Sequence, residues 1–370
     1  MVRNRVYKLY LLLLAIICQL GLSPHALGNS ATVSVPLKIG FVLCGPITDY
    51  GWNQAHNDGR LFLERTMNGK VQTIFAESVP ENSDAGRVME KMIAQGAKVI
   101  FATSYGYLDS ALQVAARHPD VKFMQINRYS EQKRANIGVY FPYYFETLYV
   151  NGIVAGRMTK SNKLGFLVGH AVPNVLAAVN AFELGAQSVN PQAKVRLVCT
   201  NSWNDSVTES ESTKALIESR AYVIDSVLDS SLTVCLAAEK LKTYCMATSY
   251  DLHRQALGTW LTGQAWNYGP LYEKMVKEIM DGSWKADTQY LTAKDGYEVL
   301  GSFGAMVPKA VQQEAALAFK KIKEGKIVIF VGPLKDSKGK LRIPAGKSAD
   351  NHCIEQMNWV VPGVEGYLSK

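Results

Sequence analysis

The chain has 370 residues, a formal net charge of +8 and six cysteines. That length allows two domains with a sizeable core, and the scattered Lys and Arg residues predict a solvated basic surface and no nucleic-acid binding. The chain contains no Walker loop, H-E-x-x-H or G-x-G-x-x-G motif, which argues against an ATPase, a metalloprotease or a dinucleotide enzyme. We expect no metal site and no cofactor.

The first 28 residues have the features of a signal peptide. Three basic side chains precede an apolar run over residues 9–22, which is short for a membrane span. Ala26 and Gly28 provide small residues at the −3 and −1 positions, so we expect cleavage near Gly28 and export to the periplasm. Lipid anchoring at Cys18 is less favoured because a bulky isoleucine precedes that cysteine, and an uncleaved N-terminal anchor is a further alternative.

Five cysteines would remain after cleavage, and their spacings match no zinc pattern. Cys44, Cys199 and Cys245 lie in or beside apolar strand-like runs, where buried thiols are common. An oxidising compartment allows one disulfide, and the odd count leaves at least one thiol free. The sequence does not determine which cysteines pair.

Strand-like and helix-like runs alternate from Leu37 to about Leu241. The strand-like runs are short, apolar and rich in β-branched or aromatic residues: LKIGFVL, VQTIFA, KVIFA, VKFMQI, NIGVYF, KLGFLV, KVRLVC and AYVID. Runs with helical periodicity separate most of them, among them QAHNDGRLFLERT, SDAGRVMEKMIAQ, PNVLAAVNAFELGAQ and SESTKALIE. This alternation predicts an α/β fold with parallel sheets and helices on both faces.

An approximate internal repeat divides this region into two similar lobes. Residues 91–100 (KMIAQGAKVI) and 215–224 (ALIESRAYVI) each have the pattern of a helix end, a turn and a strand start. Each is followed by a second helical run and another strand. Chance similarity between βαβ units, which are built alike, is the alternative. Two similar lobes outside the cytoplasm predict a clamshell that closes on a small molecule.

The order of elements changes after Asp251. Helix GPLYEKMVKEIMDG precedes strand-like QYLTA and YEVLGSF, then comes helix KAVQQEAALAFKKIKEG, and IVIFVGPLKDSKGKLRI has the pattern of a hairpin turning at residues 336–339. No Pro- or Ser-rich linker separates the lobes, as expected for a chain that crosses between them several times. We therefore assign residues 36–127 plus about 252–292 to an N-terminal lobe, about 128–251 plus 293–345 to a C-terminal lobe, and 346–370 to a tail packing near the hinge.

The loops that follow the strands are the places to look for a ligand, because ligands of open α/β sheets bind beyond the carboxyl ends of the strands. These loops are rich in aromatic residues: Trp52, Tyr105, Tyr107, Tyr129, Trp203 and Tyr250. Amides and carboxylates accompany them: Asn53, Asn127, Asn201, Asp205 and Asp251. This combination suits a flat, hydrogen-bonding ring better than a metal or a phosphate.

The motifs GPITDYGWNQAH, QGAKVIFATSYGY, HPDVKFMQIN, ELGAQSVNPQAKV and SWND, in this order, resemble the basic membrane protein family. The similarity runs from about Leu37 to near the C-terminus. It implies a type I periplasmic-binding fold and a substrate-binding protein that delivers a purine nucleoside or related purine to an ABC permease with its ATPase. In the family pattern two aromatic residues, one from each lobe, enclose the base, and Trp52 and Trp203 match them. Asn53 and Asn127 match polar positions of the same site.

Two departures from the family pattern concern the sugar. Nucleoside-binding members carry an Asp that grips the ribose and a Lys, and the corresponding positions here are Ser249 and Trp266. We therefore expect a purine base or similar flat heterocycle as the ligand, with a purine nucleoside as the alternative, and a monomeric protein. The predicted ligand-binding residues are Trp52, Asn53, Ser104, Tyr105, Asn127, Trp203, Asp251 and Trp266.

Each of these residues also has an ordinary structural interpretation. Trp52 alone could be a packing residue, and Asn53 could cap the helix that follows it. Asn127 and Asp251 could serve turns, and Trp266 could begin a helix.

A serine hydrolase is the rival enzymatic interpretation, because residues 102–106 approach G-x-S-x-G with Ser104 as the nucleophile. The first glycine of that motif is an alanine here, and the turn would follow the third strand of a duplicated lobe, so we expect no enzyme. A sensor that feeds a receptor would have the same fold and the same ligand chemistry. Neighbouring genes for a permease and an ATPase would distinguish the importer from the sensor.

Overall fold

The computed structural model describes residues 35–126 and 134–366. The predicted signal peptide, Cys18 and Asn127 lie outside those residues. No helix in the described ranges is long and apolar enough to cross a membrane.

The strands of the described chain are numbered in sequence order. They are β1 (Leu37–Val42), β2 (Val71–Ala76), β3 (Val99–Ala102), β4 (Lys122–Ile126), β5 (Ile137–Pro142), β6 (Lys163–Val168), β7 (Lys194–Cys199), β8 (Val223–Val227), β9 (Tyr244–Ala247), β10 (Trp260–Trp266), β11 (Thr288–Leu291), β12 (Glu298–Leu300), β13 (Leu334–Lys335), β14 (Leu341–Ile343) and β15 (Val364–Gly366).

The α-helices alternate with the strands over most of the chain. They are α1 (Trp52–Met67), α2 (Ser83–Ala94), α3 (Leu108–Arg117), α4 (Phe145–Met158), α5 (Pro173–Val189), α6 (Ser206–Glu218), α7 (Leu232–Lys240), α8 (Tyr268–Asp281), α9 (Lys309–Lys323) and α10 (Asn351–Glu355). Short 3-10 turns lie at Tyr105–Tyr107 and Ala293–Asp295.

Two large sheets carry the fold. The first has the strand order β11-β5-β4-β3-β1-β2 and is parallel throughout. The second has the order β12-β10-β9-β8-β6-β7-β15, in which β12 alone runs antiparallel to its neighbour. The predicted α/β fold with parallel sheets is confirmed. The predicted hairpin is present as β13 and β14, which pair antiparallel.

The internal repeat corresponds to equivalent places in the two sheets. Residues 91–100 cover the end of α2 and the start of β3, and residues 215–224 cover the end of α6 and the start of β8. Both β3 and β8 lie beside the first strand of their sheet, and the orders β2-β1-β3-β4-β5 and β7-β6-β8-β9-β10 are the same. The two sheets therefore share one strand topology, as the internal repeat in the sequence indicates.

The sheets differ from the predicted lobe boundaries at two strands. The boundary at residue 128 would place β5 in the second lobe, but β5 pairs with β4 and β11 in the first sheet. The segment 252–292 was assigned whole to the first lobe, but its strand β10 pairs with β9 and β12 in the second sheet. Each of these two strands pairs within the sheet that the chain is about to leave, and amino-acid composition alone does not show which sheet such a strand joins.

We call the first sheet with α1, α2, α3 and α8 the first lobe, and the second sheet with α4 to α7 and α9 the second lobe. The chain passes between them after β5, after β10 and after β11. Within each lobe the helices pack in pairs: α1 against α8 and α2 against α3 in the first, α4 against α5 and α6 against α7 in the second.

The central strands are buried on both faces, as parallel sheets covered by helices require. Phe41, Val99 and Phe101 have no solvent exposure in the first sheet, and Leu164 and Phe166 have none in the second. Each buried side chain of this size contributes about 1.5–3 kcal/mol relative to its exposed state. The strands therefore hold the loops at their carboxyl ends on a rigid base.

The cysteine prediction requires one correction. Cys245 on β9 is bonded to Cys235 on α7, so it is a disulfide partner and not a buried thiol. Cys44, Cys199 and Cys353 are free among the described residues. Helical Cys235 lies ten residues before Cys245, and only the folded α7–β9 unit brings the two together.

Candidate ligand-binding site

A cavity lies between the lobes at the carboxyl ends of both sheets, and it encloses about 500 Å³ of empty space, part of it open to solvent. We call it the cleft cavity. Its lining residues are Trp52, Ser104, Tyr105, Tyr144, Val172, Asn174, Val175, Trp203, Val227, Leu228, Asp229, Thr248, Ser249, Gln264 and Trp266.

Trp52 is the first residue of α1 and lines the cleft cavity from the first lobe. Its indole Nε1–H donates a hydrogen bond to the carbonyl oxygen of Thr103 at 2.7 Å. The imidazole of His56, one helical turn on, packs against the indole edge-on, with 4.7 Å between ring centroids. Because its N–H is bonded within the first lobe, the ring is held in one orientation.

Trp203 lines the cleft cavity from the second lobe, in the loop after β7. The indole lies directly over Gly169, where a Cβ would come within 3.0 Å of its Cδ2 atom. His170 packs edge-on against the same ring at 4.9 Å between centroids. The small residue at 169 is therefore what allows the ring its position.

The two lobes touch beside the cavity. The backbone N–H of Trp52 donates to the carbonyl oxygen of Asp229 at 2.7 Å. Farther along α1, the amide of Gln54 donates to the hydroxyl of Tyr250 at 3.0 Å. These bonds join the helix that carries one tryptophan to the loops of the opposite lobe.

Asn53, predicted to contact the ligand, does not line the cleft cavity. Its side chain is completely buried; Oδ1 accepts from the backbone N–H of Gly45 at 3.0 Å, and Nδ2 donates to Asp49 at 2.9 Å. Asp49 in turn accepts from the backbone N–H groups of Asn53 and Gln54. Asn53 therefore holds the loop after β1 in place.

Asp251 also lies away from the cavity lining. Its two carboxylate oxygens accept backbone N–H groups, from His253 at 2.9 Å and from Ser302 at 2.9 Å. It therefore ties two loops of the second lobe together. Asn127 falls outside the described residues.

Ser104 and Tyr105, which were predicted to bind the ligand, line the cavity. The Ser104 hydroxyl donates to the carboxylate of Glu81, which also accepts the backbone N–H of Gly106 at 2.9 Å. In the described chain the hydroxyl of Ser104 is bonded to a carboxylate and not to a histidine. This is the arrangement of a fixed polar wall and not of an activated nucleophile.

Residues 37–338 match the family described as ABC transporter substrate-binding protein, PnrA-like. The chain belongs to this family. A protein of Brucella abortus named as purine-binding is 35% identical over 343 residues, which cover 92% of this chain and 97% of the relative. A putative ABC transporter glucose-binding protein of Haloferax volcanii is 27% identical, covering 92% of this chain and 83% of the relative.

Solved structures of ABC transporter solute-binding proteins have the same fold. One from Aeropyrum pernix superimposes with a TM-score of 0.69 at 14% identity, covering 80% of this chain and 94% of its own. One from Conexibacter woesei superimposes with a TM-score of 0.62 at 18% identity, covering 79% of this chain and 97% of its own. The type I periplasmic-binding fold is thus confirmed, and the family is one of substrate-binding proteins and not of enzymes.

Both positions that depart from the nucleoside-binding pattern of this family line the cavity. Trp266 is 9% exposed and stacks on Tyr268 with 5.3 Å between centroids, and its buried Nε1–H has no protein partner among the described residues. The backbone N–H of Ser249 donates to Gln264 at 2.9 Å. The cavity wall at these two positions is therefore a bulky indole and a short hydroxyl side chain.

Several polar lining residues were not predicted. Asn174 donates to the hydroxyl of Tyr144 at 3.2 Å, while its buried Oδ1 lacks a partner in the described chain. Asp229 follows β8 in a stretch, LDSSL, that carries no aromatic residue and no motif. Asn174 could have been found, because it lies in the first turn of the helix that follows β6; Asp229 is significant only because the opposite lobe meets it.

The described lining of the cavity has few ionisable side chains. This described lining includes no lysine, arginine or histidine, and Asp229 is its single acid. Burial raises the pKa of Asp229 well above its ordinary range, and the nearby carboxylates of Asp49 and Glu81 raise it further. In residues 35–126 and 134–366, no group of three or more His, Cys, Asp or Glu side chains could hold a metal ion.

Proposed function

We propose that the protein captures an uncharged purine base, or a similar flat heterocycle, between its lobes and delivers it to an ABC import permease. The observation that carries this proposal is the pair of tryptophans, Trp52 and Trp203, which line one cavity from opposite lobes. The relative named as purine-binding, which shares nearly the whole chain, supports the same ligand class.

The affinity expected from this site is in the usual range for uptake. Stacking of a base on an aromatic face contributes about 1–3 kcal/mol. Two such faces and two or three hydrogen bonds to buried polar groups such as Asn174 and Asp229 reach about −8 kcal/mol, a dissociation constant of about 1 μM. The absence of cationic lining residues in the described chain argues against nucleotides, whose phosphates need them.

Ser249 and Trp266 favour a free base over a nucleoside. A ribose presents hydroxyls that require donors and acceptors around them, and the indole of Trp266 offers one N–H and a large apolar surface. A purine nucleoside remains the competing ligand and is tested directly below.

Delivery follows from the hinge. The chain crosses between the lobes three times, so rotation about these short segments opens the cleft without unfolding either sheet. A ligand shifts the protein further toward the closed form to the extent that it contacts both lobes. We further propose that the mature, monomeric protein works in the periplasm after cleavage near Gly28, and that a permease with its ATPase receives the closed form.

Thermal-shift titration of the mature protein tests the proposal, because a ligand that binds the folded state raises its melting temperature. We expect a saturable rise with adenine, hypoxanthine or guanine, a smaller one with the matching nucleosides, and none with the nucleotides. Glucose serves as a separate arm, given the name of the second relative. A rise with glucose alone, or a larger rise with nucleosides than with bases, would overturn the proposal.

A further inference from the structure

Asp229 occupies a special place between the two tryptophans. Its backbone N–H donates to the carbonyl oxygen of Trp203 at 2.9 Å, and its own carbonyl oxygen accepts the N–H of Trp52 at 2.7 Å. One residue thus connects the loop of the second-lobe ring to the helix of the first-lobe ring. Asp229 also lines the cleft cavity.

The carboxyl group of Asp229 has few hydrogen-bond donors around it. Asp229 is only 7% exposed; the side-chain amide of Asn53 donates to its carboxyl group, and the thiol of Cys44 lies 3.7 and 3.9 Å from the two carboxyl oxygens. A thiol is a weak donor. The neighbouring acids have stronger hydrogen-bond donors: Asp49 accepts several backbone N–H groups, and Glu81 accepts from the hydroxyl of Ser104 and from a backbone N–H.

Burial, the weakness of the thiol donor and the nearby carboxylates of Asp49 and Glu81 all disfavour the anion, so Asp229 is favoured as the neutral acid. A neutral carboxylic acid accepts one hydrogen bond and donates another from adjacent oxygens. It therefore matches a ligand edge on which an N–H lies beside an unprotonated ring nitrogen. Adenine, hypoxanthine and guanine have such an edge in their 9H tautomers, formed by N9–H and N3. In a nucleoside the sugar replaces the N9 hydrogen, and the edge is lost.

We propose that Asp229 is the specificity-determining residue of the site, and that its carboxyl group binds the N9–H and N3 edge of a free purine base. This deepens the proposed function and rests on it. Asp229 then selects bases over nucleosides by a hydrogen bond that only the base can form. The same residue joins both tryptophan segments, so the ligand is held at the point where the lobes meet.

The test uses isosteric analogues, so that no steric clash is introduced. The base that binds most tightly among adenine, hypoxanthine and guanine is compared by calorimetry with its 3-deaza analogue, in which C–H replaces the N3 acceptor while N9–H and N7 are kept. For the wild-type protein we expect the base to bind about tenfold or more tightly than the analogue, as for a hydrogen bond lost from a buried site. In Asp229→Ala the ratio of the two dissociation constants, analogue to base, should fall to about one.

Two variants sharpen the result. Asp229→Asn retains one acceptor and one donor in the same place, so it should keep most of the base-to-analogue ratio. Trp203→Ala should weaken the base and the analogue equally, because stacking does not depend on the hydrogen bond at N3. The melting temperature of each ligand-free variant establishes that it is folded.

The outcomes separate the two proposals. If purine bases bind but the ratio is the same in the wild type and Asp229→Ala, the role of Asp229 is wrong and the proposed function stands. If Asp229→Asn loses the ratio as completely as Asp229→Ala, the neutral-acid pairing is wrong. If no purine base binds the wild type, the proposed function itself fails.

Discussion

Closure of the cleft depends on a close approach of backbone to backbone, and Gly51→Ala should prevent it. Gly51 precedes α1 and faces the loop after β8 in the other lobe. A methyl group there would lie 2.8 Å from the carbonyl carbon of Asp229 and 2.9 Å from the Cα of Ser230, and nearer still to the Asp229 oxygen. Ordinary carbon contacts are about 3.5–4.0 Å, so the lobes would have to part by about 1 Å.

That separation has a calculable consequence. The hydrogen bond from Trp52 N–H to the Asp229 carbonyl, now 2.7 Å, would lengthen to about 3.7 Å, beyond hydrogen-bonding distance. Loss of this bond costs about 0.5–1.5 kcal/mol, and looser contact of the two rings with the ligand adds to it. We expect the dissociation constant for the purine base to rise about tenfold or more, measured by calorimetry.

Gly86→Ala is the matched control. Gly86 lies in α2, and the nearest atom to an added Cβ, in Val114, is 3.7 Å away, so this variant should bind as the wild type does. The ligand-free Gly51→Ala protein should melt near the wild-type temperature, because the clash arises between the lobes. Wild-type affinity in Gly51→Ala would refute the closed geometry, and a large fall in its ligand-free melting temperature would show that the effect is not one of closure.

Three further predictions follow. Trp52→Ala and Trp203→Ala should each weaken ligand binding by about 1–3 kcal/mol in calorimetry, and unchanged affinity in both would rule out stacking. Burial raises the pKa of Glu146 from 4.5 to about 7, so the folded state holds this proton more tightly than the unfolded state does. Its contribution to stability should therefore be lost as pH rises through that window, and Glu146→Gln should flatten urea-derived stability between pH 5 and 8; an unchanged slope would contradict it. Replacing Cys235 and Cys245 together by serine should lower the free energy of unfolding by about 2–3 kcal/mol in urea, whereas an equal midpoint for the two proteins would show that the disulfide adds nothing.

The fold was predictable because its signals are local. Short β-branched runs alternate with amphipathic runs, and the repeat at 91–100 and 215–224 marks equivalent positions of two sheets. Strand β10 was not recognised, and β5 was assigned to the wrong sheet, because pairing across a crossover depends on partners distant in sequence.

The candidate site was predictable where a bulky ring follows a strand, as with Trp52 and Trp203, both of which line the cavity. Asn53 illustrates the limit of that signal: its position predicts a ligand contact, yet its side-chain amide is hydrogen-bonded to Gly45 and Asp49 in the loop after β1. Asp229 illustrates the opposite case. Nothing in its own segment distinguishes it, and its importance arises from the meeting of two lobes.

Isothermal calorimetry of the mature protein with a purine base, in competition with its nucleoside, tests the central claim most directly. We expect one molecule bound per protein, with a dissociation constant of about 1 μM or tighter for the base and a weaker one for the nucleoside. No heat of binding with any purine base, or a nucleoside bound tenfold more tightly than its base, would contradict it.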